Sequence, residues 1–310
     1  MKVSTFSSPP LDQLIELLSS AKRRSKLHED ELEDTMAKTE LLNETFLDEY
    51  VSEDAVRKYT TETAGYGITY LLRSQYAQIY LDAVDSYLRA STTQPLRLLE
   101  FGCGGGMNIT RLTSLLEAKG LAVDYAYGTD FSPRLVQAAS EEAKVFLPRH
   151  LSKKVSFYVA RNERLIEDLA AGLGKNEDGI EPLDLIVGVN TFRYCHRLGE
   201  QLNCTENIYR LLRPGGVCVM IDMNNRFPAF RSKLRGSKLD PAECYLPSLE
   251  EYTSPFRIAG FEILKKGNFC WIPHSAGRAL TLSCRLMSPF LNVVARDRAM
   301  RSLVVARKPV

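Results

Sequence analysis

The 310-residue sequence contains no stretch of about 18 uncharged apolar residues, so no membrane-spanning helix is expected. Its opening residues, Met1-Lys-Val-Ser-Thr-Phe-Ser-Ser-Pro-Pro10, lack the apolar core of a secretory leader. Paired cysteines are missing as well. Seven cysteines, an odd number, are scattered without Cys-x-x-Cys spacing. That argues against a disulfide framework or a zinc site, and for reduced thiols in a cytoplasmic protein. The four histidines, His28, His150, His196 and His274, show no ligand spacing, so no metal is expected. A net charge of +2 is too small to argue for a nucleic-acid partner.

A hydrophobic share of 45% and a charged share of 25% are those of a soluble globular protein. The length suffices for one large α/β domain with an appendage, or for two small domains. Charge is unevenly placed: His28 to Asp54 is acidic and the region after Arg226 is basic. Such runs most often form solvated faces; the alternative is a basic half that faces an anionic substrate or surface.

One stretch organises the chain. Leu96-Arg-Leu-Leu-Glu-Phe-Gly-Cys-Gly-Gly-Gly106 reads as a buried strand ending in a carboxylate and running into a glycine turn, with a helix over Asn108 to Lys119. Strand, glycine loop and helix start together form a site for a nucleotide-like ligand, because glycine lets the backbone approach and the helix offers unpaired N–H groups. The dinucleotide fingerprint Gly-x-Gly-x-x-Gly is not met: after Gly102, Gly104, Gly105 and Gly106 comes Met107. A second strand, Val123 to Asp130, ends in a carboxylate and leads into Phe131-Ser-Pro-Arg-Leu-Val-Gln-Ala-Ala139, a turn and a helix. Further strands are expected at Val155–Ala160, Leu183–Asn190 and Val217–Asp222. A helix from Glu206, stopped by Pro214-Gly-Gly216, precedes the last of these.

The run Glu100-x-Gly-x-Gly-x-Gly106 resembles the first motif of class I S-adenosylmethionine (SAM) methyltransferases. Gly128-Thr-Asp-Phe-Ser-Pro133 is similar to that family's next landmark, the fourth strand to its fourth motif, and Leu212-Arg-Pro-Gly-Gly216 to the turn before its fifth strand. The resemblance covers about Leu96 to Asp222. It implies an α/β, Rossmann-like, seven-stranded, mostly parallel sheet with helices on both faces, binding SAM and releasing S-adenosylhomocysteine. It further implies cofactor contacts from Glu100, Gly102, Cys103, Gly104, Gly106, Asp130, Phe131, Ser132, Asn162, Asn190 and Thr191. Asp130 would take both ribose hydroxyls and Phe131 would lie against adenine. The family's acidic adenine contact is replaced by Arg161-Asn162-Glu163, of which Asn162 or Glu163 can accept the amino hydrogen and Arg161 cannot.

The first 95 residues, with apolar spacing of helical type over 11–25, 31–50 and Arg73–Leu88, are expected to form an α-helical cap before the methyltransferase domain at 96–310. Family caps of this kind close over the cofactor. Tyr66, with Tyr59 and Tyr70, is a candidate for that contact; the alternative is packing of the cap. After the fifth strand, 224–255 is a candidate acceptor element, with Arg226, Arg231, Lys233 and Arg235 able to grip an anion. A helix from Ser248 and a strand over Gly260–Lys266 follow, and Ser302–Arg307 suits the last strand. Between these strands, 267–301 is an insertion with two acceptor-side candidates, Trp271 and His274. Its apolar part, Ala279 to Leu291, reads as a helix up to Ser288-Pro289. It can line an acceptor pocket, lie on a membrane surface or pack on the sheet.

Methyl transfer from a sulfonium is an in-line displacement that needs alignment and exclusion of water, with a base only where the nucleophile must lose a proton. His196, just beyond the fourth strand, is the candidate base, with fixing of the loop as its alternative role. Tyr194 offers an aromatic face near the methyl group. The expected activity is SAM-dependent methylation of a small organic acceptor, apolar or anionic, of secondary or lipid metabolism. Peptide methylation and a non-catalytic SAM-binding partner are the alternatives.

Overall fold

The structure, a computed structural model, describes residues 75–89, 94–228, 246–273 and 276–310, all within one compact unit, Glu49–Val310. It contains a seven-stranded sheet in the order β3-β2-β1-β4-β5-β7-β6. The strands are β1 (Leu96–Phe101), β2 (Val123–Asp130), β3 (Val155–Val159), β4 (Leu183–Val189), β5 (Leu212–Met223), β6 (Glu262–Phe269) and β7 (Arg301–Arg307). β1 to β5 are parallel, and β7 runs antiparallel between β5 and β6. The sheet is therefore of the mostly parallel, Rossmann-like kind.

Both sheet faces are covered, and the sequence shows why. Adjacent residues of one strand serve opposite faces. Leu98, Leu185, Val187 and Val219 pack under α1 (Tyr76–Ala83), α2 (Met107–Ala118) and α3 (Pro133–Phe146). Their neighbours Leu99, Ile186, Cys218 and Met220 pack under α4 (Leu165–Leu173), α5 (Phe192–Arg197), α6 (Gln201–Leu211) and α7 (Leu249–Ile258). A strand buried on both sides has no polar face to display, hence the apolar run of β4 from Leu185 to Val189.

Helix boundaries follow local chemistry. Ser132 caps α3, accepting from the Leu135 N–H, and Pro133 sits at its first position, where a missing N–H costs nothing. Ser248 and Glu251 form a reciprocal capping box on α7. Three expectations need correction. α1 gives way at Val84 to a wider π turn, Val84–Leu88, rather than continuing as one regular helix. β5 begins at Leu212, not Val217, because Leu212 already pairs with Leu183 of β4, and the Arg-Pro-Gly-Gly residues are a bulge before Val217 pairs with Leu185. α8 (Arg278–Val294) runs through Pro289. A proline removes only one backbone donor and crowds one carbonyl, and on an exposed flank the helix tolerates both. Of the expected cap at 1–95, only residues 75–89 and 94–95 are described, and there Tyr76, Tyr80 and Val84 are buried in the core against the sheet.

At the far edge, the buried Asp184 accepts from the Arg97 N–H at 2.9 Å and the Arg213 Nε at 2.6 Å, fastening β1, β4 and β5 together. The opposite edge, where the parallel strands end, is left for chemistry. The chain order reverses between β1 and β4, which opens a crevice there.

Candidate active site

The glycine loop leaves β1 with three left-handed residues, Gly102, Gly104 and Gly106, at φ of +64°, +53° and +71°. The three glycines serve different ends. A Cβ on Gly102 would stand 2.0 Å from Thr191 Oγ1, and one on Gly106 would stand 2.5 Å from the Phe157 ring. Both are needed for the loop to pack. A Cβ on Gly104 would meet nothing within 4 Å, so its bare backbone borders open space. Cys103 contributes backbone only: its N–H donates to the Thr129 carbonyl at 2.7 Å, and its thiol is buried against the Gly104 carbonyl at 3.6 Å. Burial pushes that thiol well above its ordinary range.

Two buried carboxylates frame the loop. Glu100 accepts from Asn108 Nδ2 at 2.7 Å and from the Ile109 N–H at 2.9 Å. It therefore anchors the start of α2 from behind, a role distinct from the direct cofactor contact expected for it. Burial pushes its pKa up to about 8, against those two hydrogen bonds and with help from Asp130. Asp130 ends β2 and accepts from the Gly104 N–H at 2.9 Å and the Ser132 N–H at 3.0 Å. It ties the second strand to the very residue that borders the open space. Burial raises its pKa too, opposed by both backbone bonds. Ser132 is fully buried as a helix cap, whereas Phe131 beside it is half-exposed.

The end of β4 supplies the other wall. Asn190 adopts φ +58°, rare for a residue with a side chain and tolerated best by asparagine. Its N–H donates to the Ile221 carbonyl at 2.8 Å, and its Oδ1 accepts from Arg301 Nη1 at 2.5 Å. Arg301 is fully buried at the start of β7 and lies over the Tyr76 ring at 5.8 Å. Thr191 packs on Gly102 and accepts from Asn162 Nδ2 at 3.3 Å; the same amide nitrogen lies 3.8 Å from the Cys195 sulfur. The loop, β4 and the turn after β3 thus meet through Thr191.

Next along the chain, the Arg193 N–H donates to the buried Asp222 at 2.8 Å, and its guanidinium lies 3.7 Å from the same carboxylate. Nη2 of Arg193 donates to the Tyr194 hydroxyl at 2.5 Å, with the guanidinium 4.5 Å from that ring. His196 is placed differently. Its ring packs edge-on to Phe192 at 5.3 Å and stacks on Tyr252 at 6.1 Å, inside the layer formed by α5 and α7. Burial lowers its pKa to about 4, opposed by Glu251. Trp271 is half-exposed and its indole donates to Asn292 Oδ1 at 2.8 Å. Tyr66, Arg231 and His274 lie outside the described residues.

The sequence reading missed Arg301, Asp222 and Arg193 as members of this edge. β7 begins at Arg301, one residue before the expected Ser302, and a lone arginine in a basic tail carries no signal. Among the described residues no group of three His, Cys, Asp or Glu could hold a metal ion, and no helix is long and apolar enough to cross a membrane.

Comparison with known proteins bears on this arrangement. The methyltransferase-domain family matches residues 93–256, just over half of the chain, from the strand before the glycine loop to the end of α7. The citrinin polyketide synthase of Monascus ruber is 28% identical over 154 residues, which is 50% of this chain and 5% of that protein. A non-reducing polyketide synthase of Stereocaulon alpinum is 31% identical over 128 residues, 41% of this chain and 4% of that one. The chain thus spans about one twentieth of the length of these curated relatives. Among solved structures, the CMeT domain of the citrinin polyketide synthase superposes with a TM-score of 0.53 at 18% identity, over 87% of this chain and 64% of that one. The magnesium protoporphyrin IX methyltransferase of Synechocystis, solved with SAM, gives 0.50 at 13% identity, over 84% and 94%. These two likenesses speak to the fold. With the family match running through the glycine loop and both walls of the crevice, the chain belongs to the class I S-adenosylmethionine-dependent methyltransferases.

Proposed function

We propose that this chain methylates a small organic acceptor of secondary metabolism at the strand-end crevice. The observation that carries the reading is the bare Gly104 backbone, which borders open space and is held by the buried Asp130 carboxylate, in a loop that Thr191 packs against at Gly102. The residues fit SAM: a backbone without a side chain faces that space, and a buried carboxylate stands beside it. When bound, SAM supplies a methyl group made electrophilic by its sulfonium.

Each oxygen of Asp130 takes one backbone N–H and retains acceptor capacity for a ribose hydroxyl. Phe131 offers a half-exposed ring to the adenine. Asn162 turns its amide nitrogen toward Thr191 and Cys195, which leaves Oδ1 to accept the adenine amino hydrogen. Glu100 acts one step back as a positioning residue, holding Asn108 and Ile109 so that the loop keeps its shape. On the acceptor side stand Tyr194, with its hydroxyl gripped by Arg193, and Trp271. The surroundings of His196 favour packing over catalysis. A base works best with a pKa near the operating pH, and an imidazole near 4, packed between two aromatic rings, is a weak proton acceptor at neutral pH.

The polyketide synthase names of the relatives support a small-molecule acceptor, and the acceptor is the part to test. The purified chain would first be titrated with SAM and S-adenosylhomocysteine by calorimetry. It would then be incubated with SAM and a panel of aromatic and β-keto acceptors, read by mass for gain of one methyl. SAM binding with transfer to a panel member supports the reading. SAM binding with transfer only to added proteins or peptides would refute it.

A further inference from the structure

The β6–β7 connection carries a second feature that methyl transfer does not use. α8 turns a nearly unbroken apolar face outward. Leu280, Leu282, Leu286, Met287, Phe290, Val293 and Val294 are all exposed, Leu286 at 72% and Val293 at 84%. They recur at helical spacing on one side, with Ser283 as the polar interruption. The opposite side, Thr281, Cys284, Ser288 and Leu291, is the one turned inward. Arg278 and Arg285 border the apolar face, and Arg296 follows the helix end, all three exposed. From Gly267 to Arg296 the chain has no aspartate or glutamate.

We infer that α8 is an interfacial helix that lays this face on an anionic lipid surface. Exposed apolar side chains in such number mark an interaction site, and charge selects among occupants. A second copy of the chain fits poorly. An antiparallel pairing of two α8 helices would bring their bordering arginines, Arg285 above all, along one seam, and neither helix carries a carboxylate to offset them. A lipid surface answers this: anionic headgroups take the arginines while the leucines, Phe290 and the valines enter the acyl boundary. Placement agrees. Phe269 and Arg301, which bracket the insertion, pair at the sheet edge where Met223 ends β5, so α8 leaves from the edge that holds the crevice. The inference goes beyond the proposed function and stands whichever acceptor is used.

The test is co-flotation of the full chain with vesicles of pure phosphatidylcholine, and of phosphatidylcholine with about one-third phosphatidylserine. Binding is expected on the anionic vesicles, weaker on the neutral ones, and falling as salt rises. The double variant Leu286→Ser, Phe290→Ser should lower it about tenfold or more. Arg278→Ala and Arg285→Ala should each lower it about fivefold, and only on anionic vesicles. SAM affinity, measured on every variant, reports that the fold is intact. Absence of flotation by a chain that binds SAM would overturn the inference. So would equal binding to neutral vesicles, or a dimer in light scattering that the Leu286→Ser, Phe290→Ser variant dissociates.

Discussion

Gly102 and Gly104 are two residues apart, both left-handed, and should respond to alanine in opposite ways. Forcing an L-residue into this backbone region costs about 1–2 kcal/mol at either position. At Gly102 the new methyl also lands 2.0 Å from Thr191 Oγ1 and 2.7 Å from its Cβ, within a loop closed on both sides. Overpacking of that kind adds about 1–3 kcal/mol. Gly102→Ala should therefore destabilise by about 2–5 kcal/mol. At Gly104 the methyl meets nothing, so only the strain of about 1–2 kcal/mol remains, while the space reserved for the cofactor is partly filled. Urea denaturation of the SAM-free chains measures the first effect and calorimetric titration with SAM the second. Gly104→Ala is expected to stay folded and lose at least about tenfold in SAM affinity, about 1.4 kcal/mol. In a double-mutant cycle, Gly102→Ala combined with Thr191→Gly should recover the overpacking share, because all three crowding atoms belong to that side chain. Wild-type SAM affinity in Gly104→Ala would refute the assignment of the open space to the cofactor. Equal stability loss in the two single variants would refute the contact between loop and β4.

The remaining expectations concern the titratable groups. Asp130→Ala should weaken SAM binding several-fold or more, by removing the ribose acceptor and the clamp on Gly104; unchanged affinity in calorimetry would move the ribose elsewhere. Glu100 has a native pKa of about 8 against an ordinary 4.5, so the native state holds the extra proton between those values. Stability of the SAM-free chain should then fall as pH rises through that window, with a slope of up to about 1.4 kcal/mol per pH unit from this group. Glu100→Gln should flatten that part of the profile in thermal melts, and an unchanged slope would locate the proton on another group. His196→Leu should keep kcat/KM within a few-fold while changing stability by about 1–3 kcal/mol. A hundredfold loss of turnover with SAM affinity intact would return the imidazole to the role of base.

Much of this edge could be read before folding, because it is local. A strand, a glycine turn and a helix start are neighbours in sequence, and so are β2, Asp130 and the Ser132-Pro133 cap. Short-range sterics decide such units: φ above zero calls for glycine, and a helix start calls for a serine and a proline. The alternation of Leu98 with Leu99, and of Leu185 with Ile186, likewise announces a sheet covered twice. Residue roles were harder. Glu100 stands in the expected place, yet its two oxygens hold Asn108 and Ile109, and no pattern in the strand shows where a carboxylate points. His196 is one residue short of the chain's turn out of α5, and helix packing carries it between Phe192 and Tyr252.

What the sequence alone determined, then, is the order of elements and the class of cofactor, since both rest on residues a few positions apart. The tertiary structure decided which groups meet across distance. Arg301 reaches Asn190 from 111 residues away because β7 inserts antiparallel beside β5. Thr191 meets Gly102 because β4 lies next to β1. The outward turn of the α8 apolar face depends on which side of the helix the rest of the protein covers. Each of these depends on where separate strands and helices come to lie, and periodicity within one segment carries no record of it.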